Sequence, residues 1–522
     1  MERHEFDLIV IGSGIAGLTA ALAAAEEGRC VALLSKEKSL ELCNTLHAQG
    51  GIVAAGEGDS PALLSEDIMN AGDRMNNRDA VDLLAAEGPA FVRDFLVDRI
   101  GVPFTRGPDG RPACTKEAAH GLRRIFYAKD QTGRAIETSL LARVLAEKRI
   151  SAFPSRVAID LITNTHNSTD PQERYRDTQV VGAYVWNEAA AAAEIFFAPS
   201  VLLATGGVGN LFLHTSNPPG ATGDGLAMAH RIGAEVLNAE YVQFHPTVLF
   251  HRDVERFLIS EALRGEGALL LNQHGERFMK KYDSGRMELA PRDVVARAMY
   301  LEMAEEGSSF LLLDARPIRD VALSERFPAI YRKCLDVGID ISREPIPVVP
   351  AAHFFCGGVK VGLSGRSSVP GLYAAGETAC TGVHGANRLA SVSLLEGLFY
   401  GWKAGKDAAR SAASLSPRLR GGIPDWVSPQ RTEESDPLLV QQDMYEIRST
   451  MWNYAGVIRS RKRLTRAVAD LSYLSHRIDV FYREAELNRS ILELRNSLLA
   501  AQIIVQAAYS NGKSKGCHFV AP

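Results

Sequence analysis

The chain has 522 residues, 46% of them hydrophobic and 23% charged, with a formal net charge of -4. That length supports two or three domains with ample cores, and the mixed charge excludes a polybasic surface for nucleic acid or membrane. Seven scattered cysteines, none in a C-x-x-C spacing, argue against a zinc site, an iron–sulfur cluster or a disulfide framework, so no metal and a reducing compartment are expected.

The first residues lead straight into FDLIVIG (Phe6 to Gly12), without the charged, apolar and small-residue regions of a signal peptide. No apolar run reaches the ~18 residues of a membrane span, and a cytoplasmic protein is expected. FDLIVIG is a buried strand, the alanine-rich segment Ile15 to Gly28 a helix closing at glycine, and RCVALLSK (Arg29 to Lys36) a second strand. Gly12, Gly14 and Gly17 form G-x-G-x-x-G between the first strand and the helix. In that setting the glycines permit the tight turn, the approach of backbone amides to a pyrophosphate and close helix packing. The acid usually found ~20 residues on, for a ribose hydroxyl, is replaced by Ser35 and Lys36. Glu37 follows, placed too far round for that duty. The glycines thus give a dinucleotide without saying which.

The alanine tract between Glu188 and Glu194 is expected to be an exposed connection. SVLLATGG (Ser200 to Gly207) and GLYAAGE (Gly371 to Glu377) are expected to return to the first sheet, each ending in glycine where a ligand can approach. Residues 241–351 between them are richer in charge and helical spacing, as in an inserted domain. Residues 416–437, dense in Pro, Gly, Ser and charge, suggest a linker, and Ile491, Leu494, Leu498, Ala501 and Val505 recur at amphipathic-helix spacing. The expected organisation is α/β: a Rossmann-like dinucleotide-binding domain (1–240 and 352–415) interrupted by an α+β capping domain (241–351), then the linker and a C-terminal helical bundle (438–522).

Further blocks occur in order: NTLHAQGG from Asn44, ATGDG from Ala221, YVQFHPT from Tyr241, SEALRGEGA from Ser260, ELAPRDVVARA from Glu288, AAHFFCGGV from Ala351, GLYAAGETACTGVHGANRLAS from Gly371, and AGVIRS and SKGCHF near the end. Together they resemble, over nearly the whole chain, the flavoprotein family that contains succinate dehydrogenase, fumarate reductase and L-aspartate oxidase. The resemblance implies FAD, with a dicarboxylate held over the flavin beneath a mobile cap. It implies FAD contacts at Gly12, Ser13, Gly14, Ile15, Ala16 and Gly17, at Lys36, at Asn44, Thr45, Leu46, His47, Ala48, Gln49, Gly50 and Gly51, and at Asp224, Glu377, Ser391, Ser393 and Leu394.

Two positions point within the family. Asn44 stands where the respiratory enzymes carry a flavin-bonding histidine, so FAD should be held non-covalently. Glu117, followed by His120 and arginines, matches the acid of the aspartate oxidases, although Ala118, Ala119 and Gly121 depart from the family's glycine-rich sequence there. By resemblance, Glu117 recognises the substrate ammonium through a charge-assisted contact. Without the resemblance, an ion pair with Arg123 or Arg124 on a solvated face is the plainer reading. The resemblance also gives His245, Ser260, His353 and Arg388 to the substrate carboxylates, and Arg292, with Glu261 and Arg264 behind it, to proton transfer. Ser260 replaces the usual threonine, and Val392 replaces an asparagine before the flavin-contacting helix.

The implied reaction is oxidation of L-aspartate to iminosuccinate with reoxidation by oxygen or fumarate, the product passing to quinolinate synthase for NAD biosynthesis. The acceptor of the amine proton stays open between Glu117 and a path through Arg292. The alternatives are a soluble fumarate reductase or succinate dehydrogenase flavoprotein, and a flavin-binding regulatory protein without turnover.

Overall fold

The computed structural model describes residues 1–117, 119–254, 257–411, 414–428 and 436–522. A five-stranded parallel sheet runs in the order Leu372–Ala374, Val201–Leu203, Leu8–Ile11, Val31–Leu34, Ile150–Phe153. Both expected returning strands therefore pair where anticipated. The edge strand Ile150–Phe153 went unread, because RISAF alternates polar and apolar residues too briefly to stand out. Leu8, Val10, Val31 and Leu33 pack into one core layer while Ile9, Ile11, Ala32 and Leu34 pack into another, as a sheet covered on both faces requires.

On one face lies the helix Ile15–Glu26, buried along all but its last residue. It meets the long helix Val392–Ser411 through glycines: a Cβ on Gly401 would come within 2.6 Å of the Ala16 carbonyl oxygen, and one on Gly405 within 2.2 Å of that of Ala20. A mixed sheet of Glu2–Glu5, Ala192–Phe197, Val180–Asn187 and Arg156–Thr163 stands beside it. The alanine tract is the exposed connection expected: residues 188–191 form a turn and Ala189 to Ala192 are exposed, while the strand begins at Ala192 and Glu194, at the tract's end, is buried, held by Asn187 Nδ2 (2.6 Å) and Arg156 Nε (2.9 Å). Hairpin pairing of Ala192 with Asn187, which composition does not reveal, sets where the connection ends and the strand begins.

Residues 242–355 carry an antiparallel sheet in the order Val242–Leu249, Ile346–Phe355, Leu311–Asp314, Leu269–Leu271, with the helix Arg292–Glu306 against it. The strand Ile346–Phe355 runs on past residue 351 and stays paired with Val242–Leu249 to its end, Val242 opposite Phe355, so the antiparallel sheet extends beyond the expected boundary.

The first part of the expected linker is folded. Pro417–Gly421 is a helix capped by Ser416, Ile423 is 1% exposed, and the Tyr184 hydroxyl donates to the Pro424 carbonyl (2.9 Å). Leu419, Ile423 and Trp426 supply the apolar anchors among the prolines and glycines, and they pack on the mixed sheet. Residues 429–435 of that segment, and Ala118, lie outside the described residues. The helices Pro437–Ala455, Arg461–Glu484 and Arg489–Ser510 then pack together, with Ile491, Leu494, Leu498, Ala501 and Val505 buried in their shared core. Among the described residues no helix is long and apolar enough to cross a membrane.

Gly405→Val forces two methyl groups into the backbone of the first helix. It is expected to destabilise the fold by roughly 1–3 kcal/mol, the usual range for overpacking, seen as a lower thermal midpoint. An unchanged midpoint would mean that the two helices can part without loss.

Candidate active site

A cleft of about 410 Å³ runs from the C-terminal ends of the parallel strands to the antiparallel sheet of the inserted segment. At its nucleotide end the chain turns from strand to helix at Gly12, whose φ of +116° suits only glycine and whose Cβ would lie 2.0 Å from the Ala204 carbonyl oxygen. Gly17 packs behind, where a Cβ would fall 1.9 Å from the Gly12 carbonyl oxygen. Gly14 has no side chain to cap the helix, and Thr45 Oγ1 takes the Ile15 amide (3.0 Å). The positive end of the helix thus opens on the cleft.

Lys36 lies at the end of the second strand and reaches across to Asp224 (2.5 Å), Thr222 (2.8 Å) and Glu493 (2.7 Å). Burial pushes its pKa down, but the two carboxylates outweigh that and hold it above the usual lysine range. Glu37, also on the cleft wall, pairs with Arg489 (2.5 Å). The final helix contributes Glu493, and Asn496 donates to Asp224 (2.9 Å).

The loop 44–51 forms the middle of the cleft. Asn44 donates to Glu377 (3.3 Å) and accepts from Asn217 (3.3 Å), so its amide is held in a polar network. Glu377 also accepts the Phe355 amide (2.9 Å), and burial pushes its carboxyl up to about 7. Gln49 donates to the Leu258 carbonyl (2.6 Å), while its buried Oε1 has no hydrogen-bond partner among the described residues. Open glycine turns, a helix N-terminus facing the cleft, a lysine and an unmatched amide oxygen fit a dinucleotide that carries both phosphates and a polar ring system. The donor set suits FAD.

The far end is cationic. Arg388 is buried and sends Nε (3.2 Å) and Nη2 (3.1 Å) to Gln243 Oε1 and Nη1 to Ser393 Oγ (2.5 Å), with its guanidinium 4.4 Å over the Phe354 ring. Burial, and then Arg292, lower its pKa to about 10. Arg292 opens the helix Arg292–Glu306, donates through Nε to Glu261 (2.6 Å) and touches the same Gln243 oxygen (3.3 Å). Glu261 in turn faces Arg264 (3.6 Å). Burial raises the Glu261 pKa but the two arginines outweigh it, so the carboxyl sits below its usual range. Arg264 lies behind Glu261, anchored to the Glu288 carbonyl.

His245 and His353 meet at 5.0 Å between ring centroids. Burial first, and the neighbouring arginines next, hold both well below the usual imidazole range, hence neutral. His245 Nδ1 accepts the Thr247 amide (3.2 Å), leaving its proton on Nε2. His353 Nδ1 pairs with Ser216 Oγ (2.7 Å). Ser260 is the N-cap of Glu261–Gly265 and accepts the Ala262 amide (3.3 Å), so its own hydrogen is free to donate.

Glu117 is 8% exposed and lines this cleft. A three-stranded ribbon of Ile52–Val53, Ile125–Phe126 and Cys114–Thr115 carries it to the loop 50–53, and Ser391 Oγ donates to its Oε2 (2.7 Å). It does not pair with its neighbouring arginines. Arg124 binds Asp59 (3.3 Å) and Asp67 (3.1 Å), and Arg123 is exposed. Ala119 holds a left-handed φ of +66°, a conformation that glycine adopts freely and alanine does not. Val392 is fully buried in apolar surroundings, which accounts for a valine there.

The residues singled out from sequence thus line one cleft, apart from Gly17 and Arg264, which stand directly behind it. Two others were missed. Gln243 lies two residues before His245 on one strand, a spacing that puts both on one face and could have revealed it. Asp130 accepts the Ala329 (2.8 Å) and Ile330 (3.2 Å) amides, capping the helix Pro328–Leu335 of the inserted segment from the other side of the cleft. No local pattern announces that contact.

A dinucleotide turn joined to a cationic cleft defines a flavin-dependent oxidoreductase, and comparison with known proteins agrees. Residues 7–394 match the FAD binding domain and residues 444–521 the fumarate reductase flavoprotein C-terminal family. The chain is 41% identical to the L-aspartate oxidase of Acinetobacter baylyi, covering 99% of this chain and 93% of that one. Against the Pseudomonas aeruginosa L-aspartate oxidase the identity is 42%, covering 99% and 95%. A variant of the FrdA chain of E. coli quinol fumarate reductase superposes with a TM-score of 0.89 at 28% identity, over all of this chain and 92% of that one. The chain belongs to the L-aspartate oxidase family of FAD-binding flavoproteins.

Gln243→Leu removes the one oxygen that orients both guanidiniums. With each charged hydrogen bond worth about 1.5–3 kcal/mol, kcat/KM is expected to fall about 10- to 100-fold with FAD still bound. Wild-type turnover would show that the arginines hold their places unaided.

Proposed function

We propose that the chain oxidises L-aspartate to iminosuccinate with non-covalently held FAD, which is reoxidised by oxygen or by fumarate. The observation that carries this reading is Glu117: a buried carboxylate, bound to no arginine among the described residues, in the same cleft as Arg292 and Arg388. Succinate and aspartate differ by one ammonium group, and a carboxylate in a water-poor cleft distinguishes them through a charge-assisted hydrogen bond.

His245, His353, Ser260 and Arg388 supply donors for the two substrate carboxylates, and arginine's planar fork suits that task. FAD, when bound, supplies the acceptor for the hydride that leaves Cα. The protein aligns Cα and excludes water from the imine. As the C=N bond forms, the ammonium gives up a proton, for which Glu117, the carboxylate proposed to contact it, is an acceptor within the cleft. Arg292, joined to Glu261 and backed by Arg264, serves proton transfer to carbon when fumarate is reduced. Iminosuccinate then goes to quinolinate synthase, a cytoplasmic step of NAD biosynthesis that needs no nucleic-acid or membrane partner.

Glu117→Gln should lower kcat/KM for L-aspartate about 10- to 100-fold, the worth of one buried charged contact, and fumarate reduction far less. Anaerobic loss of the flavin's visible absorbance with L-aspartate, D-aspartate and succinate in parallel measures it, and bleaching by succinate but not L-aspartate would reject the reading. An asparagine at 44 offers no flavin-bonding nucleophile, so acid precipitation should leave all the flavin in the supernatant. Flavin retained in the pellet would disprove non-covalent binding.

A further inference from the structure

Ser391 sits at a junction of three segments. It is buried and holds a left-handed φ of +59°, a strained value for a residue with a Cβ. Its Oγ accepts the Gly51 amide (3.2 Å), its carbonyl accepts the Val53 amide (3.2 Å), and its hydroxyl donates to Glu117 Oε2 (2.7 Å). The other carboxylate oxygen, Oε1, lies against Gly50, where a Cβ would come within 2.6 Å of it, so only a glycine leaves that oxygen room. Since the Gly51 amide occupies a lone pair of Oγ, the hydroxyl hydrogen is directed to the carboxylate.

We propose that Ser391 is a positioning residue that orients Glu117 and keeps it anionic for recognition of the substrate ammonium, linking that recognition to the loop 50–53. The inference rests on the reading of Glu117 given above. Glu117 is faced by Glu261 from the helix Glu261–Gly265, by Arg292 from the helix Arg292–Glu306 and by Arg388 from the segment before Ser391. Burial is the largest influence and Glu261 the next, both favouring the protonated acid. The Ser391 hydroxyl and the two arginines oppose them, and the carboxyl ends above its usual range. As pH falls through that raised pKa, the anion and the selection of ammonium are lost together. Loss of the hydroxyl leaves the arginines alone against burial, so the same loss occurs at higher pH.

Ser391→Ala removes the hydroxyl and leaves a strained backbone. Ser391→Gly removes the hydroxyl and relieves the strain. Both variants, saturated with FAD and with FAD affinity measured separately, are compared with Glu117→Gln in anaerobic flavin reduction by L-aspartate and in fumarate reduction across pH. For both serine variants we expect kcat/KM for L-aspartate to fall about tenfold, with its acid limb moving up by about one pH unit, the size of a lost hydrogen bond to the charged form. The fumarate limb should stay in place. An unmoved aspartate limb, or wild-type behaviour restored by glycine, overturns the inference, the latter by showing that only backbone conformation matters. If Glu117→Gln itself spares aspartate oxidation, the functional reading fails and this inference fails with it. If Glu117→Gln is crippled while the serine variants keep the wild-type limb, the positioning role alone fails.

Discussion

A guanidinium buried without a carboxylate partner of its own is the constraint on which the rest of the cleft depends. Among the described residues no acid lies in salt-bridge contact with Arg388, and its partners are an amide oxygen, a hydroxyl and an aromatic face. An acid in place of Gln243 would satisfy both arginines and cancel their positive field. A neutral carbonyl gives direction without cancelling charge. It is itself fixed, because Gln243 Nε2 donates to Asn387 (2.7 Å) and to the Arg388 carbonyl (2.9 Å). Burial first keeps His245 and His353 neutral, and the same field adds to it, since further cations beside two arginines would be costly.

Against that positive end, Glu117 is an expensive residue to bury. Its charge is disfavoured by desolvation and by Glu261, and the site retains it through a hydroxyl donor and the more distant arginines. A carboxylate so placed favours a ligand that brings its own cation. On the reading proposed above, Arg388 and its neighbours would receive dicarboxylates as a class, and Glu117, a different group on a different segment, would separate the amino acid from the plain diacid. Glu261 differs from Glu117 in having two arginines in contact, which leaves it to steer Arg292 rather than to meet ammonium.

What was legible in the sequence was what local geometry determines. Gly12 and Gly17 are required by backbone contacts of 2.0 Å and 1.9 Å that any Cβ would violate, so their spacing is readable wherever a strand precedes and a helix follows. Apolar runs gave the central strands because those are buried on both faces. Residues 417–428 misled because proline and glycine dominate their composition, while three apolar side chains decide their fate. Asp130 and Arg124 were opaque for another reason. Their partners, at Ala329 and Ile330 and at Asp59 and Asp67, lie far along the chain or on a separate element, and no spacing rule spans that.

Those distant contacts also explain how the two sides of the cleft stay together. The loop 44–51 and the start of the helix Thr132–Leu145 belong to one side; Phe257 to Ser260 and the helix Pro328–Leu335 belong to the other. Asp130 capping a helix and Gln49 holding the Leu258 carbonyl tie them across the opening. Both ties are hydrogen bonds from or to backbone groups, one of them on a carboxylate. Contacts of that kind are strong when water is excluded and weak when it enters, since water competes for the same donors and acceptors. Such ties can therefore break without disturbing the large apolar cores on either side.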